Sequence, residues 1–138
     1  MPALFESHRQ VLPHEIDRLG HVNNLVYLQW MIDAALEHSA AQGWPPERYQ
    51  ELGAGWVVKS HFIEYHRPAF PEDRILVRSW LADMKRVSSL RRFEIFRPAD
   101  ETLLAKAETN WAFIDYTTSA PRRIPNDDAD AFEVFTPG

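Results

Sequence analysis

One long apolar segment lies near the N-terminus, and several shorter apolar segments fill the second half of the chain. Between residues 25 and 42 there is no Pro or Gly, and apolar residues recur at the i, i+3, i+4 spacing of one helix face. This stripe consists of Leu25, Leu28, Ile32, Ala35, Leu36 and Ser39, and it is widened by Tyr27, Trp30, Met31 and Ala34. The breadth predicts a long helix buried on most sides, with Gly43 at its C-terminal end.

The shorter apolar segments are rich in β-branched and aromatic residues and are separated by turn residues, which is typical of strands. We expect strands at residues 55–68, 74–84, 88–98 and 102–118, and a short first strand at 7–14. Short connections predict hairpins and therefore antiparallel neighbours. The predicted class is α+β, with an antiparallel five-stranded sheet wrapped around one long central helix. Residues 44–54 are expected to be a loop, and the segment after 119 a peripheral tail of this single domain.

Composition narrows the class of protein. A chain of 138 residues, 45% of them hydrophobic, suits one domain with one core. The net charge of −5 argues against nucleic-acid binding, and no apolar run is long enough to predict a membrane span. The absence of cysteine excludes disulfides and thiol nucleophiles, and it fits a cytoplasmic location.

Neither a metal site nor a serine triad is predicted. His61 and His66 lie five residues apart on a predicted strand, so they point to opposite faces, and the H-E-x-x-H pattern is absent. Glu64 and His66 share a face and are expected to form a surface pair or to line an interface. No serine lies in a G-x-S-x-G elbow.

The polar stretch before the predicted helix has two interpretations. In the first, it only starts the helix: Asn23 or Asn24 caps it, and Gly20 permits a tight turn. In the second, it is a reaction site, because a buried helix start offers unpaired N–H groups and a partial positive charge to a developing oxyanion. Asp17 would then activate water or attack a carbonyl carbon directly. Composition alone does not choose between the two.

The same stretch resembles the active-site segment of a known enzyme family. That segment has an Asp, then Gly-His-Val-Asn-Asn, then a Tyr within the helix, and the matching residues are Asp17, Gly20, His21, Val22, Asn23, Asn24 and Tyr27. It is the segment of hotdog-fold acyl-CoA thioesterases of the 4-hydroxybenzoyl-CoA thioesterase-like branch. Residues 64–77 and 105–115 are similar to strands of that family. Leu19 stands where the related plant thioesterases have Asn, which favours a supporting role for His21.

The resemblance implies a hotdog fold, an acyl-CoA substrate and no metal or redox cofactor. It also implies a homodimer whose sheets join edge to edge, with active sites at the interface, and further stacking into a dimer of dimers in some members. The expected catalytic residues are Asp17, His21, Asn24 and Tyr27. The expected substrate-binding residues are Asn23, Lys59, Arg67, Arg86 and Arg91, since arginine binds the phosphates of CoA well.

Two other functions stay open at the level of sequence. One is a hotdog dehydratase or hydratase acting on acyl thioesters, and the other is a non-catalytic dimer that binds acyl-CoA. The close spacing of Asp17 and the Asn-Asn pair favours hydrolysis. The length of the acyl group, and the choice between CoA and an acyl carrier protein, are not encoded in any motif.

Overall fold

The fold is given by a computed structural model, which describes residues 4–135. Within this range the chain forms five strands, three α-helices and two short 3₁₀ turns. The strands are β1 (Phe5–Gln10), β2 (Ala54–Tyr65), β3 (Arg74–Leu81), β4 (Ser88–Arg97) and β5 (Thr102–Asp115), and the helices are α1 (Asn24–Ala41), α2 (Pro46–Leu52) and α3 (Asn126–Asp130). The predicted α+β class is confirmed.

All five strands form one antiparallel sheet in the order β1-β3-β4-β5-β2. The predicted hairpins join β3 to β4 and β4 to β5, while β1 and β2 are the two edges. A bulge interrupts β2, because Val58 faces Trp111 and Ser60 faces Asn110, which leaves Lys59 without a partner residue. Such a bulge bends its strand and increases the twist, and here it lies on the edge strand.

Helix α1 lies against one face of the sheet, but not with the predicted stripe. Its buried residues are Tyr27, Trp30, Met31, Ala34, Ala35 and His38, and all of them except His38 share a core with residues of β3, β4 and β5. Leu25 and Leu36 are 70% and 47% exposed, so the prediction that they lie on the buried face is wrong. The predicted stripe and the observed stripe both have the helical period. The observed stripe is buried because its aromatic residues, Tyr27 and Trp30, bury more apolar area.

The segments on either side of β2 and after β5 also differ from prediction. The expected loop at 44–54 contains α2, which begins at a Pro pair and ends where Gly53 takes φ of +76°. The tail after 119 is not peripheral, because Ile124, Asp128 and Phe132 are all less than 10% exposed. These residues help to close a second core at the C-terminal end of α1.

A buried polar cluster joins the tail to this second core. The Tyr49 hydroxyl donates to Asp128 Oδ1 at 3.0 Å, and the Trp56 indole N–H reaches Asp128 Oδ2 at 3.3 Å. Burial raises the pKa of Asp128 to about 6 and raises that of Tyr49 as well. Both carboxylate oxygens are hydrogen-bonded, which is what a buried acidic group requires.

The first strand is displaced from its predicted position. It was expected at 7–14, but it spans Phe5–Gln10 and pairs with β3. Pro13 begins a 3₁₀ turn, Pro13–Glu15, which leads the chain away from the sheet. No helix among residues 4–135 is both long and apolar enough to cross a membrane.

Candidate active site

A tight loop leads into α1. Ile16 and Val22 pair as an antiparallel bridge, and the Asp17 N–H donates to His21 O at 2.8 Å. Gly20 closes the loop, since its N–H donates to Asp17 O at 3.0 Å and its φ is +82°. Gly adopts this left-handed conformation without the steric cost other residues pay. The loop therefore holds Asp17 in a fixed position ahead of the helix.

The two oxygens of the Asp17 carboxylate have different surroundings. Oδ1 accepts from the Leu19 N–H at 2.8 Å and from the His21 N–H at 3.4 Å. Oδ2 has no hydrogen-bond partner among the described residues, and the side chain is half-buried. One oxygen thus stabilises the turn and the other is free to act on a bound molecule. The sequence did not indicate this structural role for Asp17.

Asn23 caps the N-terminus of α1. Its Oδ1 accepts from the Leu25 N–H at 2.9 Å, and its carbonyl accepts from the Val26 N–H at 2.9 Å. The Asn24 N–H, by contrast, has no acceptor within residues 4–135. A free amide at the start of an 18-residue helix combines a donor with the positive end of the helix dipole. The stretch can therefore both cap the helix and serve as a reaction site, because capping uses Asn23 and leaves the Asn24 N–H free.

Two tyrosines fix the position of this helix start. The Tyr65 hydroxyl donates to Asn24 O at 2.8 Å, while the Tyr27 hydroxyl accepts from the Ala69 N–H at 3.0 Å. Their rings pack edge to face at 5.3 Å. Tyr27 is 2% exposed, and burial raises the pKa of its hydroxyl. Its side chain therefore supports the segment after β2, and its hydroxyl stays protonated.

These groups line one cleft of about 450 Å³. Of the predicted site residues, the structure brings together Asp17, His21, Asn23, Asn24, Tyr27 and Arg67. The cleft also contains residues that were not predicted as catalytic or substrate-binding: Leu19, Val22, Tyr65, His66 and Pro68. The last three belong to the segment at 64–77 that resembles the family, which was the available signal for them.

His21 contacts the loop mainly through its backbone. Its N–H and carbonyl both bond to Asp17, and its ring packs edge to face on Phe70 at 5.4 Å. The ring nitrogens have no hydrogen-bond partner within the described part of the chain. His66, at the rim, lies 3.5 Å from Glu64, as expected for a surface pair.

Three predicted substrate-binding residues lie outside this cleft. Lys59 is exposed at the bulge in β2, and Arg86 lines a separate cleft of about 420 Å³ with Lys85 and Arg123. Arg91 is 4% exposed, so the prediction that it binds a CoA phosphate at the surface is wrong. Side chains alternate along a strand, which sends Arg92 to the solvent and Arg91 into the interior.

No metal site emerges from the geometry. Across residues 4–135, no three His, Asp or Glu side chains converge on a point where they could hold an ion. The cleft itself offers a carboxylate, a helix N-terminus and neighbouring aromatic and basic side chains.

A family model, described as the thioesterase-like superfamily, matches residues 11–132. The chain belongs to the thioesterase-like superfamily. The match includes the loop, the helix and the whole sheet from β2 to β5. No curated protein matches the chain in sequence.

Solved structures of thioesterases have the same fold. A 1,4-dihydroxy-2-naphthoyl-CoA thioesterase from Synechocystis is 22% identical, with a TM-score of 0.87 over 93% of this chain and 94% of that one. A DHNA-CoA thioesterase from Staphylococcus aureus is 21% identical, with a TM-score of 0.82 over 87% and 80%. Another Staphylococcus aureus protein, solved in complex with CoA, is 16% identical, with a TM-score of 0.88 over 93% and 80%. The predicted hotdog fold is confirmed.

Proposed function

We propose that this protein hydrolyses an acyl-CoA thioester to the free carboxylic acid and CoA. The observation that carries the proposal is the pairing, in one cleft, of a carboxylate oxygen without a partner and a free helix amide. Asp17 Oδ2 supplies the first and the Asn24 N–H supplies the second. Membership of the thioesterase-like superfamily supports the same reaction class.

The chemistry follows from these two groups. The thioester carbonyl oxygen accepts from the Asn24 N–H, and the negative charge that develops on it is stabilised by the positive end of α1. Asp17 then either takes a proton from water as the water attacks the carbonyl carbon, or attacks that carbon itself to form an anhydride that water cleaves. In both routes the C–S bond breaks, the thiolate leaves and is protonated, and the acid is released.

The other residues of the cleft have supporting roles in this proposal. Asn23, Tyr27 and Tyr65 hold the helix start, so the donor is fixed before the substrate binds. His21 keeps the Asp17 loop closed through its backbone. Arg67 is exposed at the rim, with Nη1 donating to His66 O at 3.0 Å, and the rest of its guanidinium is available to a CoA phosphate.

A homodimer formed through β2 is part of the proposal. β2 is a 12-residue edge strand, and Phe62 and Tyr65 on it are 59% and 43% exposed. A long edge with exposed aromatics favours pairing with a second copy. Lys59 and Arg86 would then serve a substrate shared with the neighbouring subunit, since neither lines the cleft of its own chain. Sedimentation of the wild type and of Phe62→Lys tests this, with a shift to monomer expected for the variant.

The decisive experiment compares Asp17→Asn with a matched control. The amide oxygen of Asn can still accept from the Leu19 N–H, so the turn should be retained while the base is lost. Asp115 forms the same kind of turn at the end of β5, accepting from the Thr117 and Thr118 N–H groups, and Asp115→Asn is therefore the control. Thiol release is measured on acyl-CoAs of graded chain length and on aromatic acyl-CoAs.

We expect kcat for Asp17→Asn to fall by about 100-fold or more, as removal of a general base does, with Asp115→Asn near wild type. Near wild-type turnover by Asp17→Asn would contradict the proposed role. Thiol release also separates the alternatives, because a dehydratase or hydratase leaves the thioester intact and a binding protein releases no thiol at all.

A further inference from the structure

A second cavity lies at the opposite end of α1 from the proposed active site. Its volume is about 160 Å³, and it shares no lining residue with the cleft at Asp17. Ser39 lines it, 15 residues after Asn24, so the two sites are about 22 Å apart along the helix axis. Leu36 and Tyr116 are half-exposed at its rim, which leaves the cavity accessible from outside.

Aromatic side chains form a large part of the cavity wall. The rings of Trp44, Tyr49, Trp56, Trp111 and Phe132 all line it. A cavity of this size can hold a single aromatic ring or a short aliphatic chain, since apolar cavities of about 150 Å³ bind benzene. The cavity therefore favours a ligand whose apolar part is compact.

One fully charged side chain interrupts this apolar wall. Arg91 lines the cavity, is 4% exposed, and donates from Nη1 to Ser79 Oγ at 2.7 Å and to His38 Nδ1 at 2.9 Å. Burial lowers the pKa of Arg91 to about 10 and that of His38 to about 3. At neutral pH the arginine is charged, and the histidine is neutral and accepts.

The charge of Arg91 has no counter-ion nearby. Within residues 4–135 no carboxylate lies within ion-pair distance of it, and its Nε and Nη2 groups have no protein acceptor. Asp128 is held by Tyr49 and Trp56 and does not line the cavity. Buried arginines are normally paired, because an isolated buried charge is strongly destabilising. This wall therefore lacks a negatively charged hydrogen-bond acceptor.

A second donor on the same wall also lacks an acceptor. The indole Nε1 of Trp111 is buried without a hydrogen-bond partner, and Trp111 lines the cavity. Buried indole N–H groups usually find a partner. Arg91 on β4 and Trp111 on β5 lie on neighbouring strands and on the same face of the sheet. The Arg91 guanidinium and an indole N–H without an acceptor thus lie on the same face of the sheet, and both suit an anionic oxygen.

We propose that this cavity binds a carboxylate with a compact apolar body, its oxygens against Arg91 and Trp111 and its body among the aromatic rings. We assign this ligand as a free carboxylic acid, the class of product that thioester hydrolysis releases. That assignment rests on the proposed hydrolase function, whereas the binding site itself does not.

Binding is tested on the full chain with benzoate and hexanoate, each compared with its neutral amide. The readouts are calorimetry and tryptophan fluorescence, since three tryptophans line the cavity. We expect saturable binding with one carboxylate per chain, and at least 10-fold weaker binding of benzamide and hexanamide. Equal binding of acids and amides, or no saturable binding of either acid, would overturn the proposal.

Three variants locate the site. Arg91→Met should weaken carboxylate binding at least 10-fold, whereas Arg92→Met should not, because Arg92 is exposed on the other face of the sheet, 3.5 Å from Glu108. If Arg91→Met does not fold, Trp111→Phe supplies the test, since it removes the indole N–H and leaves a smaller aromatic ring in the wall. It should weaken the acid several-fold and the amide less. Wild-type affinity in a folded Arg91→Met or Trp111→Phe protein would refute the site.

A kinetic comparison checks that this cavity is separate from the cleft at Asp17. Because the two sites lie about 22 Å apart, Arg91→Met should change kcat/KM alike for ω-carboxyacyl-CoAs and for unsubstituted acyl-CoAs of equal length. A selective loss for the ω-carboxyacyl-CoAs would contradict the assignment of a free acid. The binding assay does not depend on turnover, so carboxylate binding can be scored in Asp17→Asn even if no acyl-CoA is hydrolysed.

Discussion

Asp128 provides the sharpest test of the energetics, because it is a buried acid whose ionisation opposes folding. The residue is 0% exposed, and burial raises its pKa from an ordinary 3.8 to about 6. The perturbation is Asp128→Asn, which removes the charge and keeps a similar shape. The amide oxygen can accept from the Trp56 N–H, and the amide nitrogen can donate to the Tyr49 hydroxyl, so the hydrogen bonds can be re-formed.

The pKa values define both the size and the pH window of the effect. Each pKa unit corresponds to about 1.4 kcal/mol, so ionising Asp128 lowers the free energy of unfolding by about 3 kcal/mol. Between pH 3.8 and about 6, the folded chain keeps a proton that the unfolded chain has lost. The stability that this proton provides is fully present below pH 3.8 and is lost as the pH rises through 6.

The assay is equilibrium unfolding by denaturant between pH 4.5 and 8, at one protein concentration so that any association is held constant. The quantity compared is the variant minus the wild type, which cancels the other titrating groups. Between pH 4.5 and pH 8 we expect the stability of Asp128→Asn relative to the wild type to rise by about 2 kcal/mol, because about 1 of the 3 kcal/mol is already lost at pH 4.5. The control is Asp127→Asn, an exposed neighbour paired with Arg48 at 2.9 Å. A difference that stays constant with pH, or a variant destabilised more at pH 8 than at pH 4.5, would refute the reasoning.

Three further predictions concern the loop and helix start at the proposed active site. Tyr27→Phe removes the acceptor of the Ala69 N–H and should cost about 1–3 kcal/mol of unfolding free energy in denaturant titrations. Asn23→Ala removes the cap on the Leu25 N–H and should cost about 1 kcal/mol by the same measurement. Gly20→Ala puts a Cβ at φ of +82°, where it should cost about 1–2 kcal/mol and lower kcat, because the loop that holds Asp17 is strained; unchanged stability and turnover would contradict this.

The proposed active site could be predicted because its residues are nearly contiguous in sequence. Asp17, His21, Asn23 and Asn24 fall within one loop and helix start, where capping preferences and helix-terminus electrostatics act locally. The strands were found for a similar reason, since their composition and turn residues are local signals. The sequence did not predict that Asp17 also stabilises the turn through Oδ1, because this role depends on the turn geometry.

The interior polar residues could not be predicted, because their burial depends on which face of each element meets the core. Arg91 and Arg92 are adjacent and identical in type. Which of them is buried depends on which face of β4 points to the core. Asp128 looked like part of a polar tail, yet its partner Tyr49 lies 79 residues away. A contact between residues so far apart in sequence does not affect the local spacing of apolar residues, so that spacing cannot predict it.

Helix α1 links the two proposed sites through its dipole. Its N-terminal amides lie at the cleft with Asp17, where a positive potential stabilises a developing oxyanion. Its last turn carries His38, which accepts from Arg91, so the buried guanidinium lies beside the negative end of the helix. That end favours a nearby cation but supplies only about half a charge, so it compensates the charge of Arg91 in part, and Arg91 can still attract a carboxylate. One element thus accounts both for the activation of a carbonyl at one end and for a charged donor inside an apolar cavity at the other.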